Sequence, residues 1–85
     1  MKYRQQPILI DALRWTGDNI KEMCNFLEVY NLTTERTYDQ CYMYLWTNQG
    51  LIRASKGDFI IKGVDGEFST CKPDIFAKLY EKIPE

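Results

Sequence analysis

Gln40-Cys41-Tyr42-Met43-Tyr44-Leu45-Trp46-Thr47-Asn48-Gln49-Gly50-Leu51-Ile52-Arg53-Ala54 carries the sharpest pattern in the chain. Cys41, Met43 and Leu45 alternate with Tyr42, Tyr44 and Trp46, the period of two expected of a β-strand with one aliphatic and one aromatic face. Thr47-Asn48-Gln49-Gly50 reads as a short hairpin loop with glycine at a left-handed position, returning the chain into Leu51–Ala54. A strand followed at once by its hairpin partner makes the sheet antiparallel. Which face it buries is left open by the pattern.

Downstream, Ser55-Lys56-Gly57-Asp58 is a turn and Phe59-Ile60-Ile61-Lys62 the next strand. The Asp-Gly signal in Val64-Asp65-Gly66-Glu67 then predicts that Glu67 to Cys71 pairs back on it. Upstream, residues 32–39 are polar and without clear periodicity, a connection whose second half is extended. Before it, Ile20, Met23, Cys24 and Leu27 fall at i, i+3, i+4 and i+7, the single apolar stripe of a helix. Thr16-Gly17-Asp18-Asn19 supplies its start, with Asn19 and Glu22 at capping-box spacing, and Asn31 is a left-handed C-cap candidate. Residues 3–15 read as a long first strand entered through Pro7. The tail is ambiguous. As a helix, Ile75, Phe76, Leu79 and Ile83 share a face; as a strand, residues 77–83 alternate less cleanly. The need to pair the first strand's edge favours one helical turn at Pro73–Phe76 followed by a strand. The fold class expected is α+β: a single domain over residues 1–85, with one helix packed on a bent antiparallel sheet or half-open small barrel.

Composition removes several chemistries. The 85 residues are 45% hydrophobic and 14% aromatic, a globular balance with room for one core. A net charge of −1 lacks the basic footprint of polymeric nucleic-acid binding. With no histidine, imidazole catalysis and histidine metal sites are absent from the chain. No segment has the apolar length of a membrane span or the core of a signal peptide, so the expected location is the cytoplasm. Cys24, Cys41 and Cys71 form no C-x-x-C pair and read as free thiols, Cys71 beside Lys72 being the one a neighbouring cation could activate. Gly57, Gly63 and Gly66 sit in turns without a phosphate-loop fingerprint. No cofactor or metal is expected.

The candidate ligand-binding residues are Tyr42, Tyr44, Trp46, Arg53, Lys62 and Lys72. The rings, with Tyr38 farther up the chain, form a ladder on which a base could stack, if they do not instead pack beneath the helix or form a homo-oligomer interface. Arg53 and Lys62 could flank that face with positive charge if side-chain parity allows. Two helix starts, at residues 16–19 and 72–74, offer N–H groups to an anion unless Thr16, Asp18 or Asp74 caps them. Asp58 and Asp74 read first as turn and cap residues; as a pair holding a divalent metal they would make a small hydrolase or nuclease.

Residues 55–68, running Ser-Lys-Gly-Asp-Phe-Ile-Ile-Lys-Gly-Val-Asp-Gly-Glu-Phe, and residues 71–76, Cys-Lys-Pro-Asp-Ile-Phe, resemble a family of small, mostly uncharacterised phage and prophage proteins. Lys2-Tyr3-Arg4 and Ala12-Leu13-Arg14-Trp15-Thr16-Gly17-Asp18-Asn19 look like that family's N-terminal pattern. Lys56 departs from the proline the family commonly carries, loosening the turn before Asp58, and residues 28–50 have no counterpart. The resemblance implies a phage accessory protein made in a bacterial cytoplasm. By analogy, its expected function is that of a non-enzymatic counter-defence factor sequestering a small anionic host ligand such as a signalling nucleotide, most readily as a homo-oligomer. The alternative is an accessory module that inhibits a host protein through its aromatic face.

Overall fold

The computed structural model describes residues 1, 10–30, 32–48 and 50–80. Six strands and two helices follow in the order β1 (Asp11–Arg14), α1 (Ile20–Leu27), β2 (Thr33–Arg36), β3 (Cys41–Thr47), β4 (Gly50–Ala54), β5 (Phe59–Lys62), β6 (Phe68–Cys71) and α2 (Pro73–Leu79). They form two three-stranded antiparallel sheets, ordered β1-β5-β6 and β2-β3-β4. The fold class is α+β as expected, but the single bent sheet or half-open barrel is replaced by two separate sheets, and one helix by two.

The alternation in β3 sets the inside of the β2-β3-β4 sheet. Cys41, Met43 and Leu45 are buried, while Trp46 is exposed and Tyr42 and Tyr44 are half-buried. The aliphatic row therefore packs beneath α1 and the aromatic row faces out. Ala54 lies opposite Met43 and Ile52 opposite Leu45, so β4 extends the same apolar surface. Helix α1 contributes Met23 and Leu27, and the second sheet contributes Ile60 with Leu13 and Phe68 beside it. The core is thus shared by both sheets and one helix, and Phe26 meets Phe68 edge-on at 6.2 Å.

Trp15 joins the two sheets. It is fully buried, and its indole N–H donates to the Cys41 carbonyl at 2.8 Å. Its main chain is paired at the same time, since Trp15 N–H donates to Asp58 O and Gly57 N–H donates to Trp15 O. A large apolar side chain with one polar handle is suited to such a junction, because burial stabilises it and the handle fixes its orientation. Gly17, buried at φ 93°, passes close by, with its carbonyl accepting from Arg36 at 3.3 Å.

The β5–β6 hairpin forms as the Asp-Gly signal predicts, with Phe59 opposite Cys71 and Lys62 opposite Phe68. Gly66 takes φ 85° in the turn, and Asp65 Oδ1 accepts from the Glu67 N–H at 3.2 Å. Helix α1 also spans its expected residues but ends earlier than Asn31 would place it. Glu28 adopts the left-handed conformation at φ 58°, and Val29 N–H closes the last turn on Cys24 O at 3.0 Å. Asn31 lies outside the described residues, as do residues 2–9 of the expected first strand and residues 81–85 of the tail.

Three local expectations are corrected. Residues 33–36 are a strand, pairing with β3 so that Thr33 faces Tyr44 and Glu35 faces Tyr42. Their polarity hid this because all four positions of this edge strand are exposed. The tail forms a helix through Leu79 rather than a strand. Pro73 presets its first turn, and Ala77, Lys78 and Leu79 are good helix formers. Neither helix start is capped by a side chain. Thr16 Oγ1 instead donates to Asp18 at 2.6 Å, while Asn19 Nδ2 donates to Arg14 O at 2.8 Å and Glu22 Oε1 at 3.1 Å.

Candidate functional site

The outward face of the β2-β3-β4 sheet gathers four of the six residues expected to bind a ligand. Tyr42, Tyr44 and Trp46 stand in a row along β3, and Arg53 lies directly opposite Tyr44 on β4. Residues opposed across an antiparallel pair share a face, so strand parity places the guanidinium beside the rings. Its central carbon sits 4.9 Å from the Tyr42 ring centroid, a cation–π distance. Trp46 is 78% exposed and Leu51, its cross-strand partner, 47%. The row ends, toward β2, in Thr33 and the acidic Glu35.

Arg53 also reaches the second feature of this surface. Between the outer strands of the two sheets, β4 and β6, runs a groove of about 400 Å³. Arg53, Thr47, Ser69 and Thr70 line it, together with Leu51 and Phe68. Thr47 donates its O–H to the Gly50 carbonyl at 2.8 Å, so the Arg53 guanidinium and the Ser69 and Thr70 hydroxyls are the side-chain donors along the groove, a set suited to an oxyanion because arginine presents a planar fork of N–H groups and hydroxyls add neutral ones. The rings and the groove thus adjoin through a single cation.

Lys62, expected to flank the rings, and Lys72, expected among the ligand-binding residues, stand elsewhere. Lys62 belongs to the other sheet, with its Nζ 4.0 Å from Glu28 and 6.0 Å from the Phe68 ring. Lys72 binds Asp58 through both carboxylate oxygens, at 3.2 and 3.1 Å. Asp58 is 5% exposed, and its Oδ2 also accepts the Ser55 N–H at 3.0 Å. This carboxylate closes the turn before β5 and anchors the start of α2, the structural role its type suggests. Tyr38 is fully exposed in the β2–β3 turn and does not join the ladder. Among the described residues, no cluster of three or more acidic or thiol side chains could hold a metal ion. The cysteines are all free thiols, with Cys41 buried and the other two partly so.

The groove was not legible beforehand. Its second wall is β6, whose Ser69 and Thr70 read as ordinary hairpin residues, and only the packing of one sheet beside the other brings them to Arg53. No family model matches the chain, and no curated protein or solved structure does either. No helix among the described residues is long and apolar enough to cross a membrane.

Proposed function

We propose that this chain is a non-enzymatic binding protein that sequesters a small planar anion, a signalling nucleotide being the type that fits best, and that it serves a phage as a counter-defence factor in the bacterial cytoplasm. The observation that supports this reading is the position of Arg53, which touches the Tyr42 ring on one side and lines a hydroxyl-rich groove on the other. A base would stack on the β3 rings, an interaction of about 1–3 kcal/mol per base. Its phosphate would turn over the edge of β4 toward Arg53, Ser69 and Thr70. Lys62 and Lys72 take no part in this arrangement. The phage assignment rests on the family resemblance of residues 55–68 and 71–76.

Thermal melts with a panel of linear and cyclic nucleotides test this reading. At least one should raise Tm, and Arg53→Ala and Trp46→Ala should each abolish the rise. A panel that leaves Tm unchanged retires the proposal.

One observation favours a second reading, in which the same face docks a host protein or another copy of the chain. Trp46 and Leu51 form an exposed apolar pair at the end of the sheet, of the composition found at interface centres. Capture from bacterial lysate of a stoichiometric partner that Tyr44→Ala loses would favour the host protein. A dimeric mass in solution that Trp46→Ala makes monomeric would favour self-association.

A further inference from the structure

The outward face of the β2-β3-β4 sheet carries a carboxylate on the side away from Arg53. Glu35 lies opposite Tyr42 and Thr33 opposite Tyr44, so strand parity turns both toward the rings. Arg36 has the other parity: it lies opposite the buried Cys41, and its guanidinium donates to Gly17 O at 3.3 Å. Among the described residues, Glu35 forms no ion pair. Tyr44 thus stands between two polar edges, with Thr33 and Glu35 on β2 and Arg53 on β4. These flanking strands lie two strand spacings, or about 10 Å, apart, the reach of a purine with its sugar.

We infer that this face selects a guanine nucleotide and that Glu35 is the residue that reads the base; the inference rests on the nucleotide-binding reading above. When a base stacks over Tyr44 with its phosphate toward Arg53, its Watson–Crick edge lies along β2. Guanine presents two adjacent donors there, N1–H and the N2 amino group, and a carboxylate accepts both at once as a bidentate pair. Adenine and cytosine present one amino donor beside a ring nitrogen whose lone pair the carboxylate repels. Uracil places its single N–H between two carbonyl oxygens. The Thr33 hydroxyl, next on the same strand face, can donate to guanine O6. Charge also fixes the direction of binding, because the reversed pose would set the phosphate against Glu35 and leave Arg53 without it.

The test titrates GMP, inosine monophosphate and AMP into the ¹⁵N-labelled full chain. GMP should shift the amides of Glu35, Tyr44 and Arg53 saturably and bind about tenfold more tightly than AMP, the scale of one bidentate contact to a base. Inosine monophosphate keeps N1–H but lacks the amino group, and should fall between them. Glu35→Gln replaces one acceptor oxygen by a donor and should weaken GMP about tenfold without weakening AMP. Glu35→Ala should bring all three to similar affinity. Both changes fall at an exposed position of an edge strand, so the fold should persist. Equal affinity for GMP and AMP, or a GMP preference that survives Glu35→Ala, overturns the inference and leaves nucleotide binding standing. If none of the three binds, the inference also falls, and the wider nucleotide panel decides nucleotide binding by itself.

Discussion

The two sheets are of equal strand number but are covered differently. The β1-β5-β6 sheet presents Ile60 and Leu13 to the core on one side, while on the other Phe59 stacks on Phe76 of α2 at 3.9 Å and 6°. The β2-β3-β4 sheet has its aliphatic row under α1 and nothing among the described elements over its rings. Bulk hydrophobicity does not distinguish them, since Tyr42, Tyr44 and Trp46 are as large as anything the covered sheet buries. The difference lies in the polar handles. Two phenols, an indole N–H and an arginine tolerate water at their tips while offering flat apolar area, which lets this face stand in water without a covering element.

Trp15 is where the comparison breaks most completely, because it lies just after β1 and its indole reaches Cys41 of the other sheet. Trp15→Ala should lower unfolding free energy by about 3–5 kcal/mol in urea titrations, with fluorescence and circular dichroism reporting one transition. Trp15→Phe keeps most of the volume but leaves the Cys41 carbonyl without its buried donor, and should cost about 1–3 kcal/mol. If near-native stability survived the alanine change, the view of a core shared by both sheets would be wrong.

A smaller effect separates the sheets from each other. Helix α2 has no buried residue, and it is held by the Phe59–Phe76–Tyr80 stack and by Lys72 on Asp58. Phe76→Ala removes the central ring and should cost about 1–2 kcal/mol through lost stacking and newly exposed area on Phe59. Hydrogen exchange sharpens the contrast: amides of α2, β5 and β6 should exchange faster in the variant while those of β2 and β3 keep their rates. Acceleration spread evenly over both sheets would mean that α2 supports the whole fold.

What could be read from residues alone follows the strength of local patterning. The β3 alternation, the Asp-Gly hairpin and the α1 stripe were all legible, since each is a short-range signal backed by a clear period or turn chemistry. Strand β2 was not, because an edge strand exposed at every position carries no inward row. The tail misled because a pairing argument about the first strand was set against helix propensity, while among the described residues β1 pairs with β5. In the site, parity alone joined Arg53 to the rings. Lys62 and Lys72 were misplaced because neighbourhood between sheets depends on how they pack, which no single strand encodes.

The least destabilising change is the most informative about the uncovered face. Trp46→Ala removes a large side chain that touches little of its own subunit, so it should alter unfolding free energy by no more than about 0.5 kcal/mol, whereas an equally large deletion in the core costs several times that. The measurement should be repeated over a wide range of protein concentrations. For a monomer with an open binding face, the small change is independent of concentration. If wild-type stability rises with concentration and the variant's does not, then the rings are buried against a second copy, since association stabilises only the folded state it binds. Ligand binding and self-association then compete for the same surface, and added nucleotide should lower the measured mass of the wild type.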